Sequence, residues 1–249
     1  MRSVLLLGGG RDAVGIARRI KEMGLGLWIV DQDRQASALG LADRVYPVSC
    51  YDARAVLEAV QEAPGAVLCG GTDAPHVQAA VAARWELVGP SERTAGLSRD
   101  KLAQLQCFHE TGIAVPRWSL GTGSELGAEW LVVKPVDSQG ARGVSRVRPD
   151  KVQSAIEDAI WSSPSHRYIV EEWGDGVQLS TESLVQDGEV LWTAFAERNY
   201  SRLAEFAPRV IEDGSDMPPV LQRSHDRDFE EECAHVLQSC VEAIGLRSG

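Results

Sequence analysis

Residues 130–144 read Trp130-Leu131-Val132-Val133-Lys134-Pro135-Val136-Asp137-Ser138-Gln139-Gly140-Ala141-Arg142-Gly143-Val144. The apolar run Trp130–Val133 has the pattern of a strand, and Lys134 ends it. A lysine at the end of such a strand must either snorkel to water or meet an anion. Val144–Val147 gives a second strand. Between the two lie Ser138, Gly140, Arg142 and Gly143, the residue types of a turn that covers phosphate, with backbone N–H groups and a guanidinium fork aimed at anionic oxygens.

Downstream, Val152, Ala155, Ile156, Ala159 and Ile160 form a helical face. Tyr168-Ile169-Val170 starts an antiparallel run that leads into Glu171-Glu172-Trp173-Gly174. That linker can offer backbone groups to a base edge, with Trp173 as an apolar wall. Val177–Gln186 and Glu189–Arg198 flank Asp187-Gly188, a two-residue type I′ hairpin signal. Residues 201–225 read as irregular. Phe229, Cys233, Val236, Leu237, Cys240, Val241 and Ile244 mark a long last helix.

Upstream, Ser98-Arg99-Asp100-Lys101 opens a helix with Leu102, Leu105 and Phe108 on one side, and residues 119–129 read as a loop. The first ninety residues alternate. Short apolar runs at Val4–Leu7, Leu27–Val30, Val45–Val48 and Ala66–Cys69 are separated by helical patterns such as Ala53, Val56, Leu57 and Val60; Leu87–Pro90 ends the series. Strands alternating with helices predict βαβ units on a parallel sheet. The expected fold class is therefore α/β: an open, Rossmann-like parallel-sheet domain over 1–90, then an α+β region with antiparallel strands over 91–249.

Composition narrows the partners. The 249 residues carry a net charge of −11, so the chain presents no global cationic field for nucleic acid. No apolar run approaches the ~20 residues of a membrane span, and the N-terminus lacks a signal-peptide core, so a cytoplasmic protein is expected. Five cysteines without a Cys-x-x-Cys pair fit reduced thiols. Lysines number only 4 against 21 arginines, which directs attention to each lysine.

Taken together, SRDK at 98–101, VVKPVDSQGARGV at 132–144, and YIVEEWGDGVQLSTESLV at 168–185 with its DG hairpin resemble the ATP-grasp superfamily. They are most similar to carboxylate–amine ligases of the carbamoyl-phosphate synthetase and L-amino-acid ligase type. The resemblance runs from about residue 1 to the end. It implies a pre-ATP-grasp domain over 1–90, a helical connector over 91–115, an ATP-binding subdomain over 116–174 and an incomplete C-terminal subdomain over 175–249.

It also implies roles. Lys101 and Lys134 would contact ATP phosphates, and Ser138 to Gly143, with Gly140, would form the mobile loop over them. Arg142 would act in catalysis. Glu171, Glu172, Trp173 and Gly174 would read adenine, and Gln178 falls where the family places a ribose-binding Glu. Magnesium is implied with ATP, but the family's metal acids follow the last helix and no metal ligand is found in this sequence. The implied reaction joins a small-molecule carboxylate to an amine through an acylphosphate, and a homodimer is left open. The protein would be an enzyme if a metal-binding segment completed it.

Two other readings stay open. One is a non-catalytic nucleotide-binding protein of this fold, favoured by Gln178 and the missing acids. The other is a nicotinamide-dependent oxidoreductase using Gly8, Gly10 and Asp31, which match G-x-G-x-x-A and a following ribose acid. Thr72 and Asp73, after Gly70-Gly71, are read as a helix N-cap.

Overall fold

The computed structural model describes residues 3–219 and 227–249, with the side chains of 227–230 left aside, so the reading of Phe229 lies outside it. The chain divides into two compact units, Met1–Ser98 with Gly245–Gly249, and Arg99–Ile244. The sequence reading drew its boundary at 90/91.

In the first unit, β1 (Ser3–Leu7), β2 (Gly26–Val30), β3 (Arg44–Tyr46) and β4 (Ala66–Leu68) form a parallel sheet in the order β3-β2-β1-β4. Every residue of β1 and β2 is buried, as continuous apolar strands covered on both faces must be. On one face lies α1 (Ala13–Glu22), through Ala13, Ala17 and Ile20. On the other lie α2 (Ala53–Ala59) and α3 (Pro75–Arg84), through Val56, Val77 and Val81. Each fully buried leucine, such as Leu5, Leu6 or Leu7, contributes about 2 kcal/mol of transfer free energy. Residues 87–90 form no strand. The helix α4 (Glu92–Arg99) lies in the expected helical connector over 91–115, but its bounds are not readable from sequence, because only Ala95 and Leu97 among its residues are clearly apolar.

In the second unit, α5 (Lys101–Glu110) begins only after Asp100, whose side chain caps it by accepting from Ala103 N at 3.0 Å. The SRDK stretch therefore spans a break between two helices. Strands β5 (Trp118–Ser119), β6 (Leu131–Pro135), β7 (Ser145–Val147) and β8 (Tyr168–Glu172) form an antiparallel sheet ordered β5-β8-β6-β7. Its core is closed by α6 (Val152–Ser162), which buries Val152, Ala155, Ile156 and Ala159 as the spacing predicted.

A second sheet, β11-β10-β9, holds the hairpin of β9 (Leu179–Gln186) and β10 (Glu189–Asn199) with β11 (Gly214–Asp216) at its edge. Asp187 and Gly188 both take positive φ, as a type I′ turn demands. The last helix, α7 (Arg227–Ile244), holds this hairpin through Gln238, which accepts from Val190 N at 3.1 Å and donates to Gly188 O at 2.9 Å.

Candidate functional site

Antiparallel register sets the first feature. Lys134 on β6 pairs with Ile169 on β8, so Glu171, two residues along, lies diagonally across the same face. The Lys134 ammonium donates to Glu171 at 2.5 Å, and Glu171 is only 5% exposed. A carboxylate this deep is tolerated because a cation meets it. Val132, Lys134 and Glu171 form one wall of a cavity of about 1000 Å³, at the upper end of the range for ligand pockets.

Lys101 starts α5. Its backbone N–H donates to Val136 O at 2.9 Å and its ammonium to Ser138 O at 2.7 Å. Burial, and then the nearby positive charge of Lys134, lower the Lys101 pKa. The two lysines are thus close enough to repel one another, although they are distant in sequence. Lys101 lies off the cavity wall and grips the start of the turn, and Ser138 meets it through its carbonyl.

The turn is fixed at both ends. Asp137 accepts from Ser163 Oγ at 2.5 Å and from Ser165 N at 3.2 Å. Burial alone would raise its pKa, but these hydrogen bonds and the charge of Arg167 carry it below the usual range. Gly140 and Ala141 take φ of +63° and +55° and stand on the cavity wall with Arg142, whose Nε donates to Gln139 O at 3.1 Å. Gly143 also takes a positive φ, of +73°. A Cβ there would lie 2.5 Å from Ser162 Cβ, so Gly143 lets the turn press against α6.

At the other end of β8, Glu172 accepts from Arg117 N at 3.0 Å and Arg117 Nε at 2.8 Å. The side-chain bond from Arg117, and then the backbone one, lower its pKa. Trp173 N–H donates to Trp130 O at 3.0 Å, so that amide is already engaged. Glu171, Glu172, Trp173, Gly174 and Gln178 all border the cavity; Gln178 is exposed, and its backbone carbonyl accepts from Arg198 N at 2.9 Å.

The opposite wall holds residues that sequence reasoning missed. Arg198 bonds Glu212 at 2.6 Å, and Tyr200 and Arg209 border the same space. Arg198 closes a readable strand and could have been singled out. Arg209 lies in an irregular stretch with no periodicity to mark it. Among the described residues no group of three or more His, Cys, Asp or Glu is gathered as a metal site.

The glycine turn of the first unit is self-satisfied. Gly9 N–H donates to Asp31 Oδ2 at 2.7 Å, and Asp33 N–H to Asp31 Oδ1 at 2.8 Å. The acid that would hold a ribose and an amide that would hold a phosphate therefore hold each other. Thr72 and Asp73 do not cap α3, whose N-cap is Ala74; the Thr72 hydroxyl instead donates to Tyr51 OH at 2.8 Å.

No protein-family model matches the sequence. A 68-residue stretch is 32% identical to the ATP-grasp enzyme fsqD of Aspergillus fumigatus, covering 27% of this chain and 12% of that protein. Over the whole chain the fold is similar to solved structures. The L-amino acid ligase from Bacillus licheniformis superposes with a TM-score of 0.78 at 18% identity, over 100% of this chain and 61% of that one. Phosphoribosylglycinamide synthetase from Anaerococcus prevotii gives 0.74 at 18%, over 99% and 62%. Biotin carboxylase from Campylobacter jejuni, solved as a beta-gamma-ATP complex, gives 0.76 at 19%, over 99% and 60%.

The architecture is thus the ATP-grasp fold. Within that fold, the neighbours are carboxylate–amine ligases and their carboxylase relatives. The chain spans about three fifths of the length of these structures.

Proposed function

We propose that this chain is the nucleotide-holding part of an ATP-dependent carboxylate–amine ligase. The observation that carries the reading is the single cavity bordered by Lys134 on its buried Glu171, by the Gly140–Arg142 turn, and by the Glu171–Gln178 linker. Those groups suit the three parts of a nucleoside triphosphate in order. Lys134 and Arg142 would neutralise phosphate oxygens, and Lys101 would steady the turn from behind. The Gln178 side chain would hydrogen-bond a ribose hydroxyl, and the linker backbone with Trp173 would take the base.

Stabilising charge on the transferred phosphoryl group is the main task in such chemistry. In this reading Glu171 supplies no proton; it fixes the Lys134 ammonium so that little reorganisation is needed when the phosphate arrives. The acylphosphate and its capture by an amine belong to the same proposal.

A thermal-shift and calorimetric series with ATP, ADP, AMP, NADH and NADPH, each with and without Mg²⁺, tests this. The expected result is a raised unfolding midpoint with ATP and ADP and none with the nicotinamides. Binding of NADH without ATP would sink the reading.

A further inference from the structure

Arg146, on β7, is placed unlike the other arginines. Its guanidinium carbon lies 4.0 Å from the Trp130 ring centroid and 4.6 Å from that of Trp173. Its Nε is buried and has no hydrogen-bond partner, and its side chain makes no ion pair among the described residues. Cation–π contact satisfies the faces of a guanidinium but leaves its edge wanting an acceptor, and burial makes that vacancy costly.

The edge strand β7 is joined by residues 201–210. Arg146 N–H donates to Pro208 O at 2.7 Å, and Val210 N–H to Val144 O at 3.2 Å. Between strand and turn lies a second cavity, of about 270 Å³, bordered by Trp130, Arg146, Leu203, Ala204, Pro208 and Arg209. Arg209 borders both this cavity and the large one, whereas Arg146 borders only this one. Two guanidinium groups and an apolar wall therefore meet in a space sized for a molecule of a few heavy atoms.

We infer that this groove is a binding site for a small carboxylic acid with a hydrocarbon body. The carboxylate would accept from Arg146, with Arg209 as the second cation, and the hydrocarbon would lie on Leu203, Ala204 and Pro208, since the Trp130 ring is already stacked on by Arg146 and Arg148. Inorganic phosphate fits less well, because its hydrated oxygens would face Leu203, Ala204 and Pro208. The inference does not depend on nucleotide binding in the large cavity.

The test is calorimetry on the full 249-residue chain without nucleotide, using isobutyrate, its uncharged isostere isobutyramide, and inorganic phosphate. Isobutyrate is expected to bind roughly tenfold or more tightly than the amide, the usual worth of a charge-assisted bond. Arg146→Met should remove that preference. If Arg146→Met does not fold, Ala204→Phe, which fills the groove from its rim, should abolish isobutyrate binding. Equal binding of acid and amide, no binding of the acid, tighter binding of phosphate, or unchanged affinity in a folded variant would overturn the inference. A separate ATP titration of the same protein keeps failure here distinguishable from failure of the ligase reading.

Discussion

Lys134 and Glu171 form a pair in which each partner makes the other tolerable. Lys134→Ala is expected to weaken ATP binding by about tenfold to a hundredfold, the worth of one charge-assisted contact. It should also cost about 3 kcal/mol of stability, because Glu171 would remain buried and unpaired. The double variant Lys134→Met/Glu171→Leu separates the two effects: chemical denaturation should show much of the stability regained, while calorimetry shows ATP binding still lost. Recovery of binding in that variant would remove Lys134 from the site. Glu172 gives a pH prediction. Arg117 holds its carboxyl below the ordinary value near 4.5, so its contribution is full above that value and is lost as pH falls through the lowered one. Glu172→Gln should lower stability at neutral pH, where that contribution is full, leave the acid end little changed, and so flatten the acid limb of the stability profile between them. The sequence reading found Lys134 because it ends an apolar run, but nothing in the order of residues shows that Glu171 lies diagonal to it; that needs the β6–β8 register.

Elements differ in how plainly the chain declares them. The β9–β10 hairpin is legible because Asp187-Gly188 can accept two positive φ values in succession. The helix α4 is expected only as part of a helical connector, not from its own pattern, since its burial rests on Thr94 and Ala95 with little apolar periodicity around them. The turn between β6 and β7 shows how one residue type serves two ends. Gly140 has positive φ and open space around its missing side chain, whereas Gly143 has positive φ and Ser162 against it. Gly140→Ala is therefore expected to cost about 1 kcal/mol in thermal unfolding, the left-handed penalty alone. Gly143→Ala should cost about 1–3 kcal/mol more through overpacking on α6. Equal losses would mean that the contact with Ser162 relaxes freely.

At the scale of the whole molecule, the two units carry different risks of misreading. A G-x-G-x-x-A match before a helix is a local pattern, and Asp31 fulfils it while closing the turn on itself. The cavity of the second unit draws on segments from Pro116 to Glu212, so its opposite wall, Arg198, Tyr200 and Arg209, emerges only once the sheets are folded. ATP at a hundred times its dissociation constant should stabilise the protein by about 2.7 kcal/mol, with slowed amide exchange concentrated in Arg99–Ile244. Protection confined to the first unit would contradict the assignment. The chain enters that second unit at Arg99, leaves it at Ile244, and returns to bond Thr94 Oγ1 through Gly245 O at 3.1 Å. Topologically it is an insertion with two stems. A protease that nicks it once would yield two bands on a denaturing gel, yet each piece would still carry residues of the other unit, so excision of the inserted body takes a pair of cuts.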